Sequence, residues 1–153
     1  MDVKHINPFI EAFFSIMPQI GFSDIKKNSL EVRQEIKATG VTISLGIIGD
    51  VKGNVIYTLD TESAKKIAST MMMGFPVTEL DDMAQSAISE LSNMLTANAS
   101  TNFSNMGIQI NISTPTLIYG EEFRIKTNTD KILAVTLSAD NIPVDINIAL
   151  ENM

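Results

Sequence analysis

The sequence predicts an α+β fold, a mainly antiparallel β-sheet packed against long α-helices, in a single domain over residues 1–153. Three observations carry this expectation. After an opening helix, strand-like runs come first, then two helical stretches, then strand-like runs again, the order expected of an antiparallel sheet under helices. At 153 residues the chain has the size of one domain, and a fold of that length buries roughly 70% of its unfolded surface. Hydrophobic residues make up 44% and charged residues 19%, a globular composition with no linker, low-complexity tract or charge block to divide it.

The elements follow in order. "NPFIEAFFSIMPQIGF" opens with Asn7 as helix cap and Pro8 in the first turn, where its missing N–H costs nothing. Apolar residues at 9, 10, 13, 14, 16 and 17 make a broad buried stripe, ended by Pro18 and Gly21. "LEVRQEIKATG" alternates like a partly exposed strand, "VTISLGIIG" like a central one, and "NVIYTL" is rich in β-branched and aromatic residues. Turn chemistry at Ala38–Gly40 and Gly49–Gly53 makes three sequential antiparallel strands the simplest account. Asp60 and Thr61 begin "TESAKKIASTMMMG", stopped by Gly74 and Pro76, with Met71–Met73 expected to fill core. A longer helix follows, capped by Thr78, carboxylate-rich in its first turn and closed by Gly107. The runs "IQINIS", "PTLIYG", "FRIKT", "KILAVTLSA" and "VDINIAL" then read as short strands, with "SADNIP" looping between the last two.

Composition excludes several function classes. There are no cysteines, which rules out a disulfide scaffold and a thiolate metal site and suits a cytoplasmic location. One histidine, His5, read as a surface or cap residue, supports neither a histidine-rich metal centre nor a Ser-His-Asp triad. Eighteen acidic residues against 11 basic ones give a net charge of −7, the wrong sign for a nucleic-acid footprint. No run of about 18 apolar residues marks a membrane span, and no secretion signal is apparent.

The stretch "SAISELSNMLTANAS" stands out because it carries one charge in an otherwise uncharged helix. At 100° per residue, Ala84, Ala87, Ile88, Leu91, Leu95, Ala99 and Met106 fall on one core-facing flank. With Glu90 at zero, Asn93 lies near about −60°, Ser86 near about −40°, Ala97 near about −20° and Ser100 near about −80°. Glu90 and Asn93 are therefore neighbours one turn apart, on a face otherwise built of small residues that admits close approach by another protein. A carboxamide can hold a water in line with an electrophile without changing protonation state, and a carboxylate can pair with a cation. No nucleophile has a base beside it and nothing holds a phosphate by charge. Catalysis here would draw its charge stabilisation from the substrate, which favours a protein carrying its own metal ion. An E-x-x-N spacing by itself is a very weak signal, and composition alone favours an ordinary solvated face.

The chain resembles the chemotaxis phosphatase family typified by CheX, which also includes CheC and FliY. The family signature, an Asp or Ser, then Glu, Asn and a distant proline, reads here as Ser86, Glu90, Asn93 and Pro115. "GIIGDVKGNVIYTLD" is similar to the family's glycine-bounded hairpin, and "SAKKIASTMMMG" to the helix before the motif. Ala97 departs from the glycine found in many relatives. The resemblance implies a CheX-like fold and a phosphatase acting on the aspartyl phosphate of a CheY-like response regulator. On that reading Asn93 orients the attacking water, Glu90 pairs with the regulator's active-site lysine, and Ser86, Ala97 and Ser100 contact the partner. The protein needs no cofactor of its own, Mg²⁺ being held by the regulator, and Pro115 fixes the approach to a strand. CheC-like members repeat the motif on their first helix; here Glu11 is followed by Phe14 instead of asparagine, which leaves one site. The resemblance also implies a homodimer joined through sheet edges, for which "KILAVTLSA" and "VDINIAL" are candidates. A non-catalytic receiver-binding adaptor, or a flagellar-switch component of the same fold, is the alternative. Tyr57 and Tyr119 are expected to pack on strands with their hydroxyls in water.

Overall fold

The structure is a computed structural model that describes residues 3–127 and 131–151. A 3-10 turn, Val3–Ile6, leads into α1 (Asn7–Gln19). Strands β1 (Ile25–Arg33), β2 (Ile36–Gly49) and β3 (Gly53–Leu59) precede helices α2 (Thr61–Met71) and α3 (Asp82–Asn105). Strands β4 (Ile110–Ile112), β5 (Thr116–Ile125), β6 (Ile132–Ala139) and β7 (Ile142–Leu150) complete the fold. The expected α+β class is therefore present, with every strand pairing antiparallel in the order β1-β6-β7-β3-β2-β4, and β5 also on β2.

Three sequential paired strands are not what forms. β1 pairs β6 across 99 to 114 residues of chain, and "LEVRQEIKATG" is divided between β1 and β2. Ala38–Gly40 is not a hairpin loop but an irregularity inside β2, where Gly40 lies opposite Gly120 of β5. Gly40 has φ +107, and a Cβ there would stand 2.7 Å from the backbone nitrogen of Thr61. The glycine serves a close approach between β2 and the start of α2, not a reversal. β6 and β7 are both interior strands, so neither offers an edge; the free edges are β1 on one side and β5 with β4 on the other.

Alternation along the strands sends one set of side chains toward the helices. Phe9, Phe13 and Met17 of α1, Ile67 of α2, and Ile88, Leu91, Leu95 and Phe103 of α3 meet Val41, Ile43, Leu45, Val55, Val135, Leu137, Ile146 and Ile148 there. Ile36, Ile56, Ile132 and Ala149, with Ile125 against them, form a small second cluster on the opposite face. Beside it Arg33 reaches Asp145 at 3.3 Å and Asn147 at 3.1 Å, and Thr136 donates to Asp145 at 2.7 Å, so these polar groups are paired, whereas the buried Thr42 hydroxyl has no hydrogen-bond partner among the described residues.

Several local expectations shift. Asp81, not Thr78, caps α3 by accepting from the Ala84 N–H at 2.9 Å. Ile6 occupies the cap position of α1, and Asn7 is already helical. Phe14 is 42% exposed on the outer side of α1, so it lies off the buried stripe that Phe9 and Phe13 occupy. Met71 packs against the core, but Met73 is 92% exposed at a left-handed turn (φ 63), so core filling stops with the helix. Met106 is 47% exposed because α3 ends at Asn105 and the chain leaves the core flank there. His5 stacks on Phe103 with ring centroids 5.9 Å apart, so it is a packing residue more than a plain surface one.

Candidate functional site

The outer face of α3 and the segment leading into β5 enclose an open groove of about 500 Å³, lined by Asp82, Gln85, Ser86, Ser89, Glu90, Asn93, Thr114, Pro115 and Leu117. Helix geometry alone places Ser86, Glu90 and Asn93 together, but only the fold brings Pro115 opposite them. The second wall is set by a small staple: the Ser113 hydroxyl accepts from the Gly46 N–H at 2.7 Å and donates to the Thr114 carbonyl at 3.1 Å. The Ser113 N–H also donates to the Gly46 carbonyl at 3.0 Å. Pro115 directly precedes β5 and forms part of the groove.

Glu90 is exposed and Asn93 half-buried. Among the described residues, neither side chain has a hydrogen-bond or ion-pair partner; their polar atoms are available to a molecule seated in the groove. Nothing on the same wall compensates the Glu90 carboxylate, so a cation on an arriving partner meets it directly. Ala97 is exposed and Ser100 half-buried further along α3, and neither lines the groove. The structure thus gathers Ser86, Glu90 and Asn93 at one place and leaves Ala97 and Ser100 on the helix beyond it. Sequence reasoning missed Gln85, Ser89, Thr114 and Leu117. Gln85 donates its amide to the Leu80 carbonyl at 2.7 Å, which braces the first turn of α3. The helical period could have found Gln85 and Ser89, whereas Thr114 and Leu117 arrive through tertiary contact. Among the described residues no group of three or more His, Cys, Asp or Glu side chains could hold a metal ion.

Behind the groove, the core flank of α3 is unexpectedly polar. Tyr57 of β3 is 2% exposed, so its hydroxyl is not in water as the sequence led us to expect. It lies 2.8 Å from Thr96 Oγ1, and the Thr96 hydroxyl donates to the Ser92 carbonyl at 2.7 Å. The one Thr96 proton is thereby used, which makes Tyr57 the donor in their shared bond. Burial pushes the Tyr57 phenol well above its ordinary pKa, the bond to Thr96 acting weakly in the other direction.

A sheet of this order, with α3 laid across one face and a groove beside it, defines the CheC-like class of folds. A CheC-like superfamily protein from Shewanella sp. PV-4 superposes with a TM-score of 0.87 over 99% of this chain and 100% of that one, at 22% identity. Within that class the chain belongs to the chemotaxis phosphatase CheX family, whose model matches residues 41–138. The CheY-P phosphatase CheX of Thermotoga maritima is 32% identical over 129 residues, which is 83% of each chain. The solved CheX–CheY–BeF3–Mg²⁺ complex from Borrelia burgdorferi has a TM-score of 0.83 at 25% identity, covering 99% of this chain and 100% of that one. No helix of the described residues is long and apolar enough to cross a membrane.

Proposed function

We propose that this protein hydrolyses the aspartyl phosphate of a CheY-like response regulator, with Asn93 orienting the attacking water and Glu90 pairing with a lysine of the regulator. The observation that carries the reading is the unpartnered Glu90–Asn93 pair beside Pro115 in a groove open to another protein. Family membership and the Thermotoga relative, itself a CheY-P phosphatase, supply the substrate class. The water oxygen bonds to phosphorus as the phosphorus–oxygen bond to the aspartate breaks, and the products are inorganic phosphate and a free carboxylate. The Asn93 side-chain carbonyl accepts a hydrogen bond from the O–H of that water and the amide stays neutral throughout, so its contribution is orientation. Glu90 anchors the helix by charge, which acts on binding first. Mg²⁺ and the stabilisation of phosphoryl charge come from the regulator.

Phosphate release from a phosphorylated receiver, with kcat and KM separated, tests the reading. Asn93→Ala should lower kcat about 100-fold with KM little changed, because it removes orientation in the transition state only. Glu90→Ala should raise KM about tenfold through the lost ion pair. Full turnover by Asn93→Ala would sink the water-orienting role. A wild-type protein that binds the phosphorylated receiver without releasing phosphate would make it an adaptor.

A further inference from the structure

We propose that Tyr57 is a positioning residue for this reaction: through Thr96 it sets where the Ser92–Thr96 turn of α3 sits, and hence where the Asn93 amide points. The inference rests on the reading of Asn93 as the water-orienting group. The relay runs from the Tyr57 O–H to Thr96 Oγ1 at 2.8 Å and from the Thr96 hydroxyl to the Ser92 carbonyl at 2.7 Å. A third bond continues it, from the Ser92 hydroxyl to the Ser89 carbonyl at 2.6 Å. Asn93 follows Ser92 directly, so the pinned turn is the one that carries the amide. Ser89, at the end of the relay, lines the groove itself.

Two features make this bond more than core filling. Tyr57 stands on β3, which is paired on both sides by β2 and β7, so its hydroxyl projects from the rigid middle of the sheet. Among the described residues it also makes the one hydrogen bond joining an α3 side chain to a strand. The other side-chain tie of α3 to a neighbouring element is at its C-terminal part, where Asn102 donates to the Pro8 carbonyl at 2.9 Å and Phe103 meets Phe9 edge-on at 5.7 Å. That tie lies about 14 Å along the axis from Asn93. Near Asn93 the remaining core contacts, Leu91 and Leu95, are apolar and non-directional, and they tolerate small axial or rotational shifts. A hydrogen bond between buried hydroxyls does not, since it weakens steeply with angle.

Tyr57→Phe removes only the hydroxyl and keeps the ring in the core. The expected result is a fall in kcat of about tenfold with KM within about twofold, because orientation is lost while the docking face remains. Thr96→Val should reproduce the fall and Thr96→Ser, which keeps the hydroxyl, should restore wild-type kcat. In an Asn93→Ala background Tyr57→Phe should lower kcat no further, since the two act through one group. A lower melting temperature with unchanged kcat would overturn the proposal, as would an equal fall in the Asn93→Ala background. If Asn93→Ala alone keeps full activity, the functional reading fails, and this inference with it. If Thr96→Val does not fold, the Tyr57→Phe and Thr96→Ser results decide.

Discussion

Among single residues, Tyr57 carries a pH dependence whose sign follows from its burial. The folded protein holds the phenol proton above the ordinary tyrosine pKa of 10.0, while the unfolded chain releases it near that value. Its contribution to stability is therefore complete below pH 10.0 and is lost as pH rises past that point, by up to about 1.4 kcal/mol per pH unit. At neutral pH, wild type should exceed Tyr57→Phe by about 1 kcal/mol for the hydrogen bond. Urea unfolding between neutral pH and alkaline conditions checks this: the gap should close and then reverse above pH 10.0. A constant gap would mean that the phenol ionises as readily folded as unfolded. The contrast with Glu90 and Asn93 shows what a sequence conveys at this scale. Their shared face needs only 3.6 residues per turn, so it was legible. Tyr57 looked like any strand aromatic, because nothing local tells whether its hydroxyl meets water or Thr96.

For the elements, the placement of α3 depends on how its N-terminus is closed. Asp81 accepts from the Ala84 N–H, and Asp82 follows in the first turn, where a carboxylate complements the helix dipole. Asp81→Ala should cost about 1 kcal/mol in denaturant unfolding. It should also fray the turn that brings Asp82, Gln85 and Ser86 to the groove, raising KM for the phosphorylated receiver more than it lowers kcat. Unchanged stability would show that water caps the helix equally well. The sequence began α2 at Asp60 and Thr61, and the structure has Asp60 cap it by accepting from the Ser63 N–H at 2.7 Å, yet the sequence put the α3 cap at Thr78. Both Thr78 and Asp81 are good capping residues, and the choice is made by Leu80, buried against the core just before the helix. The strand boundaries failed for a similar reason. Gly40 has the look of a turn, but the demand for glycine comes from the Thr61 backbone packed against it, a contact between chain segments far apart in sequence.

Across the whole molecule, the topology decides which surfaces can join two copies. An edge-joined dimer, which the family resemblance implies, cannot use β6 or β7, since both are flanked by strands. That order was not legible in the sequence: β6 and β7 are apolar because they are central, and apolarity was mistaken for a sign of an edge. Of the two free edges, β1 carries Lys26, Lys27, Glu31 and Arg33, the charged decoration that discourages pairing with another strand. The β5 edge begins with the uncharged run Thr116–Gly120, in which Ile118 and Tyr119 are each 48% exposed. A dimer joined through a sheet edge would therefore be expected to use β5. Two copies meeting there across a two-fold axis would set like residues near one another, so a lysine at Ile118 places positive charges face to face. Sedimentation equilibrium should give a dimer for wild type and a monomer for Ile118→Lys, whereas Val32→Lys on β1 should leave the dimer intact. Leu117 of β5 lines the groove on α3, but strand alternation turns the neighbouring Ile118 to the other face of the sheet, so the monomeric variant should keep kcat within about twofold of wild type. A wild-type monomer, or a dimer broken by Val32→Lys and spared by Ile118→Lys, would refute the assignment of β5.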